Sequence, residues 1–168
     1  IVALAHFLIA MGAKIQGAGT PRMTITGVNK LHGAEHDVIP DRIEAATYAI
    51  AAAATNGEVT LKDMRCDHLA AVLDKLKEAG VQFEAKGTSL KILSGGNIQP
   101  VDVSTQPYTG FPTDAQAQLM ALMLKAPGLS IITERIFESR FMHANELARL
   151  GADIAIEGPS AIVRGGMP

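Results

Sequence analysis

Two stretches of the chain repeat one pattern. They are Ala79-Gly80-Val81-Gln82-Phe83-Glu84-Ala85-Lys86-Gly87-Thr88-Ser89-Leu90-Lys91-Ile92-Leu93 and Leu150-Gly151-Ala152-Asp153-Ile154-Ala155-Ile156-Glu157-Gly158-Pro159-Ser160-Ala161-Ile162-Val163-Arg164. In each, a helix ends on a glycine and a short strand follows, predicted at Gln82–Ala85 and Asp153–Ile156. A second glycine falls seven residues after the first, and another strand returns at Ser89–Leu93 and Ala161–Arg164. Glycine just past a helix suits the left-handed position where a side chain is crowded. The later glycine, beside Thr or Pro, suits a hairpin turn.

A third copy opens the chain: Met11-Gly12-Ala13 closes a helix, and strands follow at Lys14–Gln16 and, after Gly19, at Met23–Gly27. The helix-ending glycines stand 68 and 71 residues apart. That period fits a βα supersecondary unit rather than a solenoid repeat. The other half of each unit agrees. Pro40-Asp41 starts a helix through Ala54, with Gly57 before the strand Glu58–Lys62, and Pro112-Thr113-Asp114 starts one through Lys125, with Gly128 before Leu129–Thr133.

The helices fall into two kinds. Ile43–Ala54 and Ala115–Leu124 are apolar nearly all round, which predicts burial on most sides. Small residues at helical spacing (Ala46, Ala49, Ala53) would let neighbouring elements approach closely. Asp67–Glu78 instead carries an apolar stripe of Leu69, Val72, Leu73 and Leu76, the pattern of a helix with one face to solvent. The fold class is therefore α/β: repeated units of buried helices walled by short mixed sheets and amphipathic helices.

Composition sets outer limits. With 168 residues, 48% hydrophobic and 19% charged, the chain can bury a real core and is not of disordered type. A net charge of -2 with no basic block gives nucleic acid or an anionic membrane no electrostatic support. No apolar run reaches the ~20 residues that span a bilayer, and Ile1–Met11 lacks the basic start of a signal peptide. The single Cys66 excludes an intrachain disulfide and suits a reducing compartment. Starting at Ile1, already in a helix, the chain reads as a fragment of a longer protein.

The chemistry-bearing residues cluster between Gly110 and Gly151. Asp114 opens a buried-type helix after the Phe111-Pro112 turn. Its position reads first as an N-terminal cap, with Thr113 or Asp114 accepting from the free N–H groups of the first turn. It also fits a carboxylate held beside a substrate hydroxyl as general base. Asp41, at the matching point of the preceding unit, reads as a cap. Arg140 follows a predicted strand and lies among Phe137, Phe141 and Met142. It is either a solvated surface arginine or a bidentate partner for a carboxylate or phosphate. Glu134, Arg135, Glu138 and His143 complete a polar cluster, and His143 reads as part of the start of its helix. The five histidines show no metal-ligand spacing, so no metal is expected. Cys66 reads as structural, and Ser94-Gly95-Gly96-Asn97 as a turn rather than a phosphate loop.

Phe111-Pro112-Thr113-Asp114-Ala115-Gln116-Ala117-Gln118 and Ile136-Phe137-Glu138-Ser139-Arg140-Phe141-Met142-His143, with Ile39-Pro40-Asp41-Arg42-Ile43-Glu44, resemble the enolpyruvyl transferases, in the branch acting on UDP-N-acetylglucosamine. The resemblance runs collinearly from Ile1 to the end. It implies two inside-out α/β barrels of three repeated units each. Residues 1–40 would end one incomplete repeat-built domain and run to the interdomain crossover, and 41–168 would be two units, about 41–100 and 101–168. The implied reaction moves the enolpyruvyl group of phosphoenolpyruvate to the sugar 3-hydroxyl and releases phosphate, the first committed step of peptidoglycan synthesis in the cytoplasm, without a cofactor.

By the same resemblance, Asp114 would deprotonate and bind the sugar hydroxyl. Ile136 would contact the nucleotide-sugar through its backbone, Phe137 would line that site, and Thr113 would shape the sugar pocket. Arg140 would join the arginines around phosphoenolpyruvate. Tyr108 stands where several members carry histidine, and Arg135 replaces a small polar residue. The lysine-asparagine pair, the mobile loop and a late arginine of the family have no counterpart here. The chain alone is thus expected to be inactive, since the family site forms between two domains. Two alternatives stay open. One is 3-phosphoshikimate 1-carboxyvinyltransferase, sharing fold and donor; the other is a noncatalytic repeat-built binding or assembly module. Against a DNA clamp, helices Ile43–Ala54 and Ala115–Leu124 carry no Lys or Arg.

Overall fold

A computed structural model describes residues 1–166 and divides into two compact units, Ile1–Pro40 and Asp41–Pro168. The final two residues of the unit read as 101–168 lie outside the described residues. The first unit holds helix α1 (Val2–Ala10) and an antiparallel pair, β1 (Lys14–Gln16) and β2 (Thr24–Thr26). Ala5 is the one buried side chain of α1.

In the second unit the repeat is visible element by element. Helix α2 (Arg42–Ala54) is followed by β3 (Val59–Leu61), α3 (Ala70–Glu78), β4 (Phe83–Lys86) and β5 (Ser89–Ile92). After β6 (Val103–Ser104), the order recurs as α4 (Gln116–Met123), β7 (Leu129–Thr133), α5 (Met142–Arg149), β8 (Asp153–Glu157) and β9 (Ser160–Arg164). The two sheets have matching strand orders, β3-β5-β4 and β7-β9-β8, all antiparallel, with β6 added parallel to β7. Strand β6 is too short to leave a periodic signal, and the sequence reading missed it.

The expected glycines do what the pattern requires. Gly80 and Gly151 follow α3 and α5 with φ of +83° and +100°, and Gly87 and Gly158 turn the two hairpins with φ of +56°. At Gly80 space is decisive as well, because an added Cβ would stand 2.7 Å from the Asn97 carbonyl oxygen.

Helices α2 and α4 pack together at the centre of the unit. Ala46, Ala49 and Ile50 of α2 and Leu119, Met120, Leu122 and Met123 of α4 are each at most 2% exposed. Within this apolar layer the Gln118 amide donates to the Thr47 hydroxyl at 2.9 Å. Helix α3 buries Val72, Leu73 and Leu76 and keeps its charged side in solvent, as its stripe predicts. Leu69, read as part of that helix, sits in a preceding 3-10 turn, Cys66–Leu69, and is also buried. The α/β class and the short mixed sheets agree with the sequence reading. The barrel arrangement that the resemblance implies is not seen among the described residues.

Candidate functional site

The site is built where β7 ends and α4 begins. Along β7, Ser130 and Ile132 point inward while Leu129 and Ile131 are exposed. Side chains alternate across a strand, so the next inward position belongs to Glu134. It is 4% exposed. A buried carboxylate is costly unless hydrogen bonded, and this one is well supplied. Its Oε1 accepts from the Thr105 hydroxyl, from Ile136 N–H at 2.7 Å and from Phe137 N–H at 3.3 Å. Its Oε2 accepts from the Thr113 hydroxyl at 2.7 Å and from the Gln116 amide at 3.4 Å. Burial pushes the carboxyl pKa up, but the Thr105 and Thr113 hydroxyls and the two backbone N–H groups outweigh it, so the group lies below the usual glutamate range.

Around this carboxylate the loop after β7 is tied down. Arg135 N–H donates to the Thr105 hydroxyl at 2.8 Å, and Thr105 N–H donates to the Thr133 carbonyl at 2.9 Å. The Ile136 N–H is therefore occupied, and its carbonyl accepts no hydrogen bond among the described residues. A ligand contact through the Ile136 backbone is narrowed to that oxygen.

Asp114 departs from the cap reading. A 3-10 turn, Thr113–Ala115, precedes α4, and neither Thr113 nor Asp114 caps it with a side chain. The contrast with Asp41 is direct: Asp41 does cap α2, accepting from Ile43 N–H at 2.8 Å and Glu44 N–H at 3.4 Å. The extra turn moves Asp114 away from the free N–H groups, and its carboxylate instead meets Arg140, Nη1 to Oδ1 at 2.9 Å. The same Nη1 donates to the Thr113 hydroxyl at 3.1 Å. Both charged side chains are about half exposed, at 49% and 43%.

Arg140 is held from two more directions. Its guanidinium lies over the Phe137 ring, 5.3 Å from the centroid, and its backbone carbonyl accepts from the Gln116 amide at 3.2 Å. Phe137 is itself 55% exposed and presents an apolar face beside the ion pair. The structure thus brings together Thr113, Asp114, Ile136, Phe137 and Arg140, all five residues singled out from the sequence. Glu134 was seen there only as a member of a polar cluster. The signal that identifies it is the inward phase of Ser130 and Ile132.

His143 lies on the first turn of α5, where the sequence placed it. Burial, with the Arg140 charge nearby, pushes its pKa below the usual imidazole range. Cys66 donates to the Ser89 carbonyl at 3.6 Å, a structural contact. The ring of Tyr108 sits 5.2 Å beneath the Arg42 guanidinium. Among the described residues no group of three or more His, Cys, Asp or Glu could hold a metal ion, and no helix is long and apolar enough to cross a membrane.

Chemically, the cluster offers one accessible carboxylate, one guanidinium committed to it, an apolar ring and a free backbone carbonyl. It can orient and deprotonate a hydroxyl. Among the described residues Arg140 is the one cation paired with Asp114, and a single guanidinium is too little to hold a polyanionic ligand.

Comparison with known proteins gives a consistent picture. The family model described as EPSP synthase (3-phosphoshikimate 1-carboxyvinyltransferase) matches residues 1–167. The chain is 54% identical over 165 residues to a UDP-N-acetylglucosamine 1-carboxyvinyltransferase of Koribacter versatilis, covering 98% of this chain and 38% of that protein. It is 57% identical over 166 residues to the protein of that name from Azorhizobium caulinodans, covering 98% and 39%. A crystal structure of the enolpyruvyl transferase NikO from Streptomyces tendae superposes with a TM-score of 0.81 at 28% identity, over 95% of this chain and 39% of that one. The chain thus spans about two fifths of the length of the relatives it matches.

Proposed function

The chain belongs to the EPSP synthase (3-phosphoshikimate 1-carboxyvinyltransferase) family, and we propose that it is part of a UDP-N-acetylglucosamine 1-carboxyvinyltransferase. The parent protein would transfer the enolpyruvyl group of phosphoenolpyruvate to the sugar 3-hydroxyl and release phosphate, in the cytoplasm, as the first committed step of peptidoglycan synthesis. The observation that carries this reading is the uncapped, half-exposed Asp114 carboxylate, oriented by Arg140 at the edge of a rigid core. Supporting it, the relatives of that printed name are more than half identical to this chain.

In this mechanism Asp114 accepts the proton of the sugar hydroxyl as its oxygen adds to the phosphate-bearing carbon of phosphoenolpyruvate, and the methylene takes up a proton supplied from the rest of the parent protein or from water. Loss of a proton from the methyl so formed restores the double bond as the carbon–oxygen bond to phosphate breaks, and the phosphate leaves with the proton that the hydroxyl gave up. A base poised against a hydroxyl typically contributes 10²–10⁴-fold. Arg140 holds the carboxylate in place and presents its remaining N–H donors toward the anionic donor substrate. Thr113 shapes the sugar pocket, the Ile136 carbonyl accepts from the nucleotide-sugar, and Phe137 covers it. With Arg140 alone paired to Asp114 among the described residues, further phosphate-binding groups are left to the rest of the parent protein.

On this reading residues 1–40 end one repeat-built domain at an interdomain crossover, and 41–168 are two units of a second. The missing repeats would complete two inside-out barrels, and the chain by itself would be inactive. The test is phosphate release by the full-length parent from phosphoenolpyruvate with either UDP-N-acetylglucosamine or shikimate 3-phosphate. Turnover with the nucleotide-sugar supports the proposal; turnover with shikimate 3-phosphate alone replaces it with the sister activity. Release with neither acceptor favours a noncatalytic binding role.

A further inference from the structure

We infer that Glu134 is a positioning residue for this reaction, its buried carboxylate fixing both the Thr113 hydroxyl beside the Asp114–Arg140 pair and the Ile136–Phe137 backbone. The inference rests on the functional reading above and assigns Glu134 no contact with substrate. Its two oxygens serve different sides of the site. Oε1 gathers Thr105 and the N–H groups of Ile136 and Phe137, and Oε2 gathers Thr113 and Gln116.

The Thr113 hydroxyl is the link. Glu134 is ionised and only accepts, so the hydroxyl must give it its proton. That leaves the Thr113 oxygen lone pairs for Arg140, whose Nη1 donates to it at 3.1 Å and to Asp114 at 2.9 Å. A directed chain therefore runs from Glu134 through Thr113 and Arg140 to the carboxylate that would act as base. No Lys or Arg pairs with Glu134 among the described residues, so neutral donors alone hold its charge. Such an arrangement contributes little net stability compared with apolar packing. What it provides is orientation, because each donor direction is set.

Three variants of the full-length parent test this, with kcat and KM taken from phosphate release and folding from thermal melts. A carboxamide at 134 can accept on one side but turns its NH₂ toward donors on the other. Glu134→Gln is expected to lower kcat roughly ten-fold and to raise KM for UDP-N-acetylglucosamine several-fold, as loss of a charge-assisted hydrogen bond implies. Thr105→Val keeps volume and removes the hydroxyl, whereas Thr105→Ser keeps the hydroxyl and removes a methyl. On the inference, Thr105→Val loses about ten-fold in kcat/KM and Thr105→Ser stays within about two-fold. If an active wild type is matched by both Glu134→Gln and Thr105→Val, the inference is wrong and the proposed function stands. Equal losses in the two Thr105 variants would also overturn it, pointing to packing. If Glu134→Gln does not fold, the Thr105 pair decides. A wild type that releases no phosphate defeats the functional reading itself, and the inference falls with it.

Discussion

Asp114 and Arg140 are 26 residues apart in sequence and 2.9 Å apart in space, joined by Oδ1 and Nη1. Neither side chain is buried, so the pair contributes little to stability; exposed ion pairs are typically worth up to about 1 kcal/mol. The pair's value is geometric. It holds a carboxylate in one orientation that the first turn of α4 would otherwise have claimed as a cap.

Replacing Asp114 with Asn in the full-length parent should leave folding nearly unchanged and lower kcat by roughly 10²–10⁴. Phosphate release under saturating substrates measures it. An unchanged rate would remove Asp114 from the role of base.

Arg140→Lys keeps the charge but loses the planar fork and the stacking over Phe137. The lysine should recover only a small part of the activity lost in Arg140→Ala, since a point charge cannot reproduce a fixed fork. Full recovery by lysine would mean that net charge alone matters. Steady-state kinetics with phosphoenolpyruvate varied would separate the two.

The pH dependence of stability has a defined sign. Glu134 is held below its ordinary pKa by the fold. Its contribution is therefore present above the unfolded value, about 4.3, and is lost as pH falls through the folded value. His143 is also depressed, so its contribution is present above about 6.5 and fades as pH falls toward its folded value. Thermal melts across pH should show the upper window flattened in His143→Gln and the lower one flattened in Glu134→Gln. Parallel wild-type and variant curves would contradict both assignments.

Two glycines with similar roles should differ in cost. Gly87→Ala meets open space and pays only for its φ of +56°, about 1 kcal/mol. Gly80→Ala has a φ of +83° and also drives a Cβ to 2.7 Å from the Asn97 oxygen, so it should cost clearly more. Chemical denaturation of the full-length parent compares them. Equal losses would mean that the Asn97 segment gives way.

The repeat was legible because its signals are local. Helix-ending glycines, hairpin glycines and helical stripes act within a few residues and recur at a fixed period, so Gly80 and Gly151 could be read from sequence. The five residues of the site were legible in identity through their motifs. Their connections were not. Whether Asp114 caps α4 depends on one 3-10 turn, a small free-energy difference that local pattern does not resolve. Strand β6 exists because it pairs with β7, and Thr105 reaches Glu134 through the chain that continues from it. Sequence by itself determined the α/β repeat, its turns and the residue types available for chemistry. Tertiary structure decided that Glu134 lies inside, that its donors come from separate elements, and that Arg140 rather than a helix terminus holds Asp114. Those outcomes depend on contacts between residues distant in the chain, which only packing brings within hydrogen-bonding range.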